Sequence, residues 1–167
     1  MILGIVRFVH VVCALIGIGS GSAVLFGMLI GKFPRRWAAI FLKCALVTSV
    51  SGLLLPHHSF LVTDRMSILI IYLSALAIIA WRRYGLSGIW APVFAMSMDV
   101  ALCLEILVAV AHILRYSRFF EEFSPTHPGV VFCIAELIAA LPFTGFGVLI
   151  VKRYRIRRSN RLRVSVE

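Results

Sequence analysis

Residues 99–112 read DVALCLEILVAVAH, an apolar run that carries Asp99, Glu105 and His112. The apolar character extends on both sides, from about residue 89 to 114. That is enough to cross a bilayer, which takes about twenty residues in a helix. Ionisable side chains at membrane depth are costly and are kept either for chemistry or for structure. Deciding between those two is the problem this chain sets.

Four more runs of the same kind cover about 2–30, 37–55, 66–81 and 130–151. Basic or aromatic connections separate them: GKFPRR, HHSF, WRRYG and RYSRFFEEFSPTHPG. Open sheets cannot satisfy their backbone in lipid, and the runs are too continuous for barrel strands. The expected fold is therefore all-α, a polytopic transmembrane bundle of five spans. It forms one domain over 1–151, followed by a basic tail at 152–167. The SGSA in the first run resembles a signal-peptide cleavage site. That run lacks a basic leading region and is too long for a signal segment, so it reads as a span.

Composition agrees. Of 167 residues, 61% are hydrophobic and only 14% charged, with a mean hydropathy of +1.01. A soluble domain of this size needs more polar surface. The net charge of +10 comes from 17 Lys and Arg against 7 acids. Lys32, Arg35 and Arg36 follow the first span, Arg82 and Arg83 the third, and seven more basic residues lie in the tail. These twelve fall on one side, against Arg7, Arg65, Arg115 and Arg118 on the other. The positive-inside rule then predicts an outer N-terminus and a cytoplasmic C-terminus. The tail predicts a partner in anionic headgroups, with nucleic acid a remote option. The four cysteines, Cys13, Cys44, Cys103 and Cys133, lie apart inside apolar runs and read as packing residues.

This orientation gathers all five histidines (His10, His57, His58, His112 and His127) on or near the outer face. Seven residues make about two helical turns, so Glu105 and His112 share a face, about 10 Å apart in depth. Glu136 falls at a similar depth in the fifth span, which should pack antiparallel to the fourth. The sequence thus predicts an outer-half pocket lined by Glu105, Glu136, His112 and His10. Imidazole and carboxylate together suit a transition metal, for which Glu105, Glu136 and His112 are the candidate ligands. Two histidines on different helices also suit haem b, with His10 and His112 as the axial pair. In the plainer alternative, each histidine only meets headgroups or loop backbone at a helix end.

Asp99 points about 120° away from Glu105 around the helix, towards the inner half. Lys43 enters from the same side, and a structural Lys43–Asp99 ion pair is expected. In the first span, Gly17 and Gly21 stand at GxxxG spacing, which predicts close packing within the bundle or against a second copy.

Three stretches also carry a resemblance: VTSVSGLLLP, GLSGIW and FSPTHPGVVFCIAELIAALPF. They resemble a family of small, uncharacterised bacterial inner-membrane proteins with about five spans. The resemblance covers most of the chain up to the tail and implies the bacterial inner membrane and a helical bundle. It implies no activity and no catalytic residue. Where that family tends to carry amides, this chain has Glu105, His112, His127 and Glu136. That pattern argues against a metal site common to the family.

Three functions stay open at this point. The first is a redox subunit holding haem or a metal. The second is a non-catalytic scaffold or accessory subunit of a larger membrane complex or homo-oligomer. The third is a small proton-coupled transporter, made less attractive by the lack of inverted repeats.

Overall fold

The computed structural model describes residues 2–54, 63–116, 134, 137–150 and 152. Four long helices make up most of it: α1 (Ile2–Leu29), α2 (Arg35–Leu54), α3 (Thr63–Arg82) and α4 (Trp90–Tyr116). All four are long and apolar enough to cross a membrane, as an integral membrane protein requires. A shorter apolar helix, α5, runs from Leu137 to Ile150. The first four expected spans match α1 to α4 within a few residues. Most of the start of the fifth, Glu136 included, lies outside the described residues.

The helices form an up-down ring in which α1 packs on α2 and α4, and α3 on α2 and α4. Short connections between antiparallel neighbours favour this topology. The start of α1 and the end of α4 meet at one end of the bundle, called the upper end here. The α1–α2 and α3–α4 turns mark the lower end.

Local signals explain the lower turns. Gly31 adopts a left-handed φ of 83°. Lys32 N–H bonds Gly27 O at 2.8 Å while Gly31 N–H bonds Met28 O at 3.1 Å. This paired closure is the usual glycine stop of a helix. Pro34 then starts α2, its carbonyl accepting from Ala38 N–H at 3.1 Å. Arg35 and Arg36, expected in the turn, are already helical.

Packing is uneven along the bundle. The lower half is dense, with Val24, Phe41, Phe94, Met98 and Leu102 almost fully buried. Phe33, Trp81 and Phe94 meet edge to face at 5.4–6.2 Å, and Tyr84 stacks on Trp90 at 3.8 Å. In the upper half, α1 turns Ile5, Phe8, Val12 and Leu15 outward. A helix exposed in this way is at ease in lipid, where apolar surface has no reason to hide. α5 leans on the lower half through Phe26 and Phe146, at 5.7 Å, and through Gly147 beside Asp99.

Both glycines of the GxxxG pair face inward. A Cβ on Gly21 would lie 2.7 Å from Phe41 Cδ2 and 2.9 Å from Leu102 Cδ1. One on Gly17 would lie 3.0 Å from Glu105 Oε2 and 3.4 Å from Cys44 Cβ. The small residues therefore bring α1 against α2 and α4 of its own bundle.

Candidate functional site

A cavity of about 230 Å³ opens in the upper half of the bundle. Its walls come mainly from α1 and α4, and most of its lining is aliphatic. His10, His112, Glu105, Thr48, Ser49 and Ser67 supply the polar groups. Apolar walls with a few convergent polar groups are typical of a ligand site, although this volume lies below the usual 300–1,000 Å³. Val11, Leu15 and Ile113 stand exposed at its edge, on the α1–α4 side.

The two imidazoles and the carboxylate are each held by a neighbour. His10 Nδ1 meets Ser51 Oγ at 2.8 Å. Ser51 Oγ in turn donates its single proton to Thr48 O at 3.1 Å. The His10–Ser51 contact ties the His10 ring on α1 to α2. His112 is held locally, its Nδ1 donating to the carbonyl oxygen of Val108 at 2.9 Å. An imidazole that donates from one nitrogen to a protein oxygen is oriented to offer the other. His112 is exposed at the helix end, and His10 is half-buried.

Glu105 is only 6% exposed and sits in the cavity wall near mid-helix. Its Oε1 accepts from Thr48 Oγ1 at 3.2 Å. Its Oε2 packs against Gly17 and has no hydrogen-bond partner among the described residues. Thr48 shares its proton with its own helix, at 2.9 Å from Cys44 O and 3.0 Å from Ala45 O.

The structure therefore brings His10, Glu105 and His112 to one cavity, as the sequence predicts. Glu136, expected beside them, lies outside the described residues, as do His57, His58 and His127. Among the described residues no group of three or more His, Cys, Asp and Glu side chains is placed to hold a metal ion.

Asp99 and Lys43 do not meet as expected. Asp99 is 3% exposed, while Lys43 is exposed on α2. No ion pair joins them, and Asp99 Oδ1 has no hydrogen-bond partner among the described residues. The reason is that Lys43 faces outward from α2, while Asp99 is buried against α5. What Asp99 meets is α5: a Cβ on Gly147 would come within 3.0 Å of Oδ2.

Sequence reasoning missed Thr48 and Ser51, the hydroxyls that hold Glu105 and His10.

No protein-family model, curated protein or solved structure matches this chain.

Proposed function

We propose that the chain is an integral protein of the bacterial inner membrane, with an outer N-terminus and a cytoplasmic C-terminus. Its upper cavity holds a metal centre through His10 and His112, and the chain serves as a subunit of a redox system. The observation that carries this reading is that two imidazoles, one from α1 and one from α4, line a single cavity. Each Nδ1 is set against a protein oxygen, which is how ligand histidines are held. A volume of about 230 Å³ suits an ion better than an enclosed porphyrin, so a transition metal takes precedence over haem b.

Absorption spectroscopy and metal analysis of the purified protein test this directly. A stoichiometric metal lost on His112→Ala supports the reading, and a Soret band lost on that change would replace the ion with haem. A colourless, metal-free and stable protein would overturn both.

The scaffold reading has one observation in its favour. The Thr48–Glu105 hydrogen bond ties together helices that are not neighbours in the ring, as polar groups do when they fix helix packing.

A further inference from the structure

Polar groups stand at the two ends of the upper cavity, and apolar ones lie between. On α1 the lining runs from His10 down to Ile18, and on α4 from His112 down to Glu105. Each stretch covers about two helical turns, so the cavity is a slot roughly 10–12 Å long in the seam between those helices. The imidazoles close its upper end and the Glu105 carboxyl its lower end, with Ala14 and Val108 in the wall between. Ser49 adds a hydroxyl from α2. Glu105 Oε2 and Ser49 Oγ are both buried, and neither has a hydrogen-bond partner among the described residues. A buried polar atom left without a partner costs stability, which a bound donor or acceptor restores.

From this arrangement we infer that the slot binds a para-quinol drawn from the bilayer, one hydroxyl set towards Glu105 and the other towards His112. Nδ1 of His112 donates to Val108 O, so the neutral ring presents Nε2 as an acceptor. A carboxylate only accepts. The two ends of the slot therefore call for two donors on one ligand. Seven residues separate Glu105 from His112 on one face of α4, a rise of about 10 Å. The oxygens of a para-quinol stand about 5.5 Å apart, and a hydrogen bond of about 2.7 Å at each brings the span to about 11 Å. Between those oxygens lies a flat apolar ring, as the aliphatic walls require. A volume of about 230 Å³ admits one substituted ring of that kind.

Access agrees with a ligand that lives in lipid. Val11, Leu15 and Ile113 stand exposed at the edge of the slot, on the α1–α4 side. Apolar side chains in that position face acyl chains, so an isoprenoid tail can remain in the bilayer while the ring is seated. A fatty acid or long-chain alcohol has one polar end and would leave the other end of the slot unserved. Binding exchanges hydrogen bonds and breaks no covalent bond. The inference goes beyond the metal reading, because it calls on Glu105 and needs no ion. It shares His112 with that reading, and the two can fail separately.

The test uses the full chain, purified in detergent, stripped of metal by a chelator and kept without oxygen. Ubiquinol carrying a single isoprene unit is titrated in by calorimetry, with protein-free micelles as the blank. The wild-type chain should bind roughly one quinol, saturably. Glu105→Gln can keep the Thr48 bond and then presents N–H groups where Oε2 stood, and His112→Phe removes the upper acceptor. Each variant should bind about tenfold more weakly or worse. No saturable binding to the wild-type chain, or wild-type affinity in both variants, would overturn the site.

A second probe needs no variant. The dimethyl ether of the same quinol keeps the ring and the tail but has no hydroxyl to donate. It should bind the wild-type chain at least about tenfold more weakly than the quinol. Equal affinity for the two compounds would overturn the proposal whatever the variants do. Metal in the chain as purified, with no quinol bound after stripping, would leave the imidazole–ion reading standing and this one refuted. Quinol bound saturably by a chain that carries no metal as purified would do the reverse.

Discussion

Thr48 Oγ1 lies 3.2 Å from Glu105 Oε1, which places a hydrogen bond between α2 and α4 across the middle of the ring. Those helices are not neighbours in the ring, so this contact fixes the spacing of α2 and α4 beside the cavity. Polar pairs within membranes are worth about 0.6 kcal/mol on average, because the separated helices also find partners. Thr48→Val should therefore lower stability by roughly that amount in unfolding titrations in mixed micelles, and Glu105→Gln by less, since the amide can still bond Thr48. Glu105→Ala should cost more than either, because it removes packing volume as well as the bond. Equal stability of all three variants would mean that the contact does not constrain the bundle.

The glycines of α1 give a sharper test, because their surroundings differ so much. A methyl group on Gly21 would meet Phe41 and Leu102 below 3.0 Å, deep in the core. One on Gly17 would press on a carboxylate oxygen at 3.0 Å, which has more freedom to move. Nothing lies within 4 Å of the corresponding position at Gly19. Gly21→Ala should destabilise by about 1–3 kcal/mol, as overpacked cores do. Gly17→Ala should cost less, and Gly19→Ala should be neutral or mildly stabilising through helix propensity. The reverse order would place the Gly19 face, not the Gly17 and Gly21 face, against the bundle.

Much of this was legible in the sequence, for a reason that belongs to the bilayer. Lipid demands long apolar helices and penalises every interruption, so the bounds of α1 to α4 could be read within a few residues. The pairing of Glu105 with His112 on one face followed from helical periodicity alone. What could not be read is which helices are neighbours. Lys43 and Asp99 share a depth, and depth is a one-dimensional quantity that sequence conveys well. Their separation around the ring depends on packing order, which the apolar runs leave undetermined. The same gap hid the support that Ser51 gives His10. Serine and threonine in such helices usually bond their own backbone, as Ser20 and Ser22 do here, so nothing in their spacing marks the ones that reach across.

Asp99 and Lys43 carry the next expectation. Lys43 is exposed on α2, so Lys43→Gln should leave unfolding unchanged within measurement. Asp99 is buried against α5, and what it senses is the glycine opposite. Gly147→Ala should push Asp99 Oδ2 from its place and loosen α5, seen as faster proteolysis or hydrogen exchange in 137–150. Asp99→Ala should relieve that strain, so the double variant should exchange more slowly than Gly147→Ala alone. If Lys43→Gln destabilised the protein as much as Asp99→Ala did, the two residues would be partners after all.

Orientation is the remaining question on which the proposed site depends, since it decides which compartment the cavity faces. The lower end carries Lys32, Arg35, Arg36, Arg82 and Arg83, and also Trp81, Tyr84 and Trp90 beside them. Trp81 lies under Arg82 at 5.5 Å, and Tyr84 stacks on Trp90. Basic residues favour the cytoplasmic side, and aromatic rings with polar edges settle at the interface, so both features belong at one membrane surface. Green fluorescent protein fused after Gly31 or after Gly85 should therefore fluoresce, while alkaline phosphatase fused after Leu54 should be active. These fusions follow α1, α3 and α2 respectively, so each reports one crossing. Active phosphatase after Gly31 and none after Leu54 would invert the bundle. The imidazoles would then face the cytoplasm, and a metal arriving from outside would have to pass the dense lower core around Phe41 and Met98 before reaching Glu105.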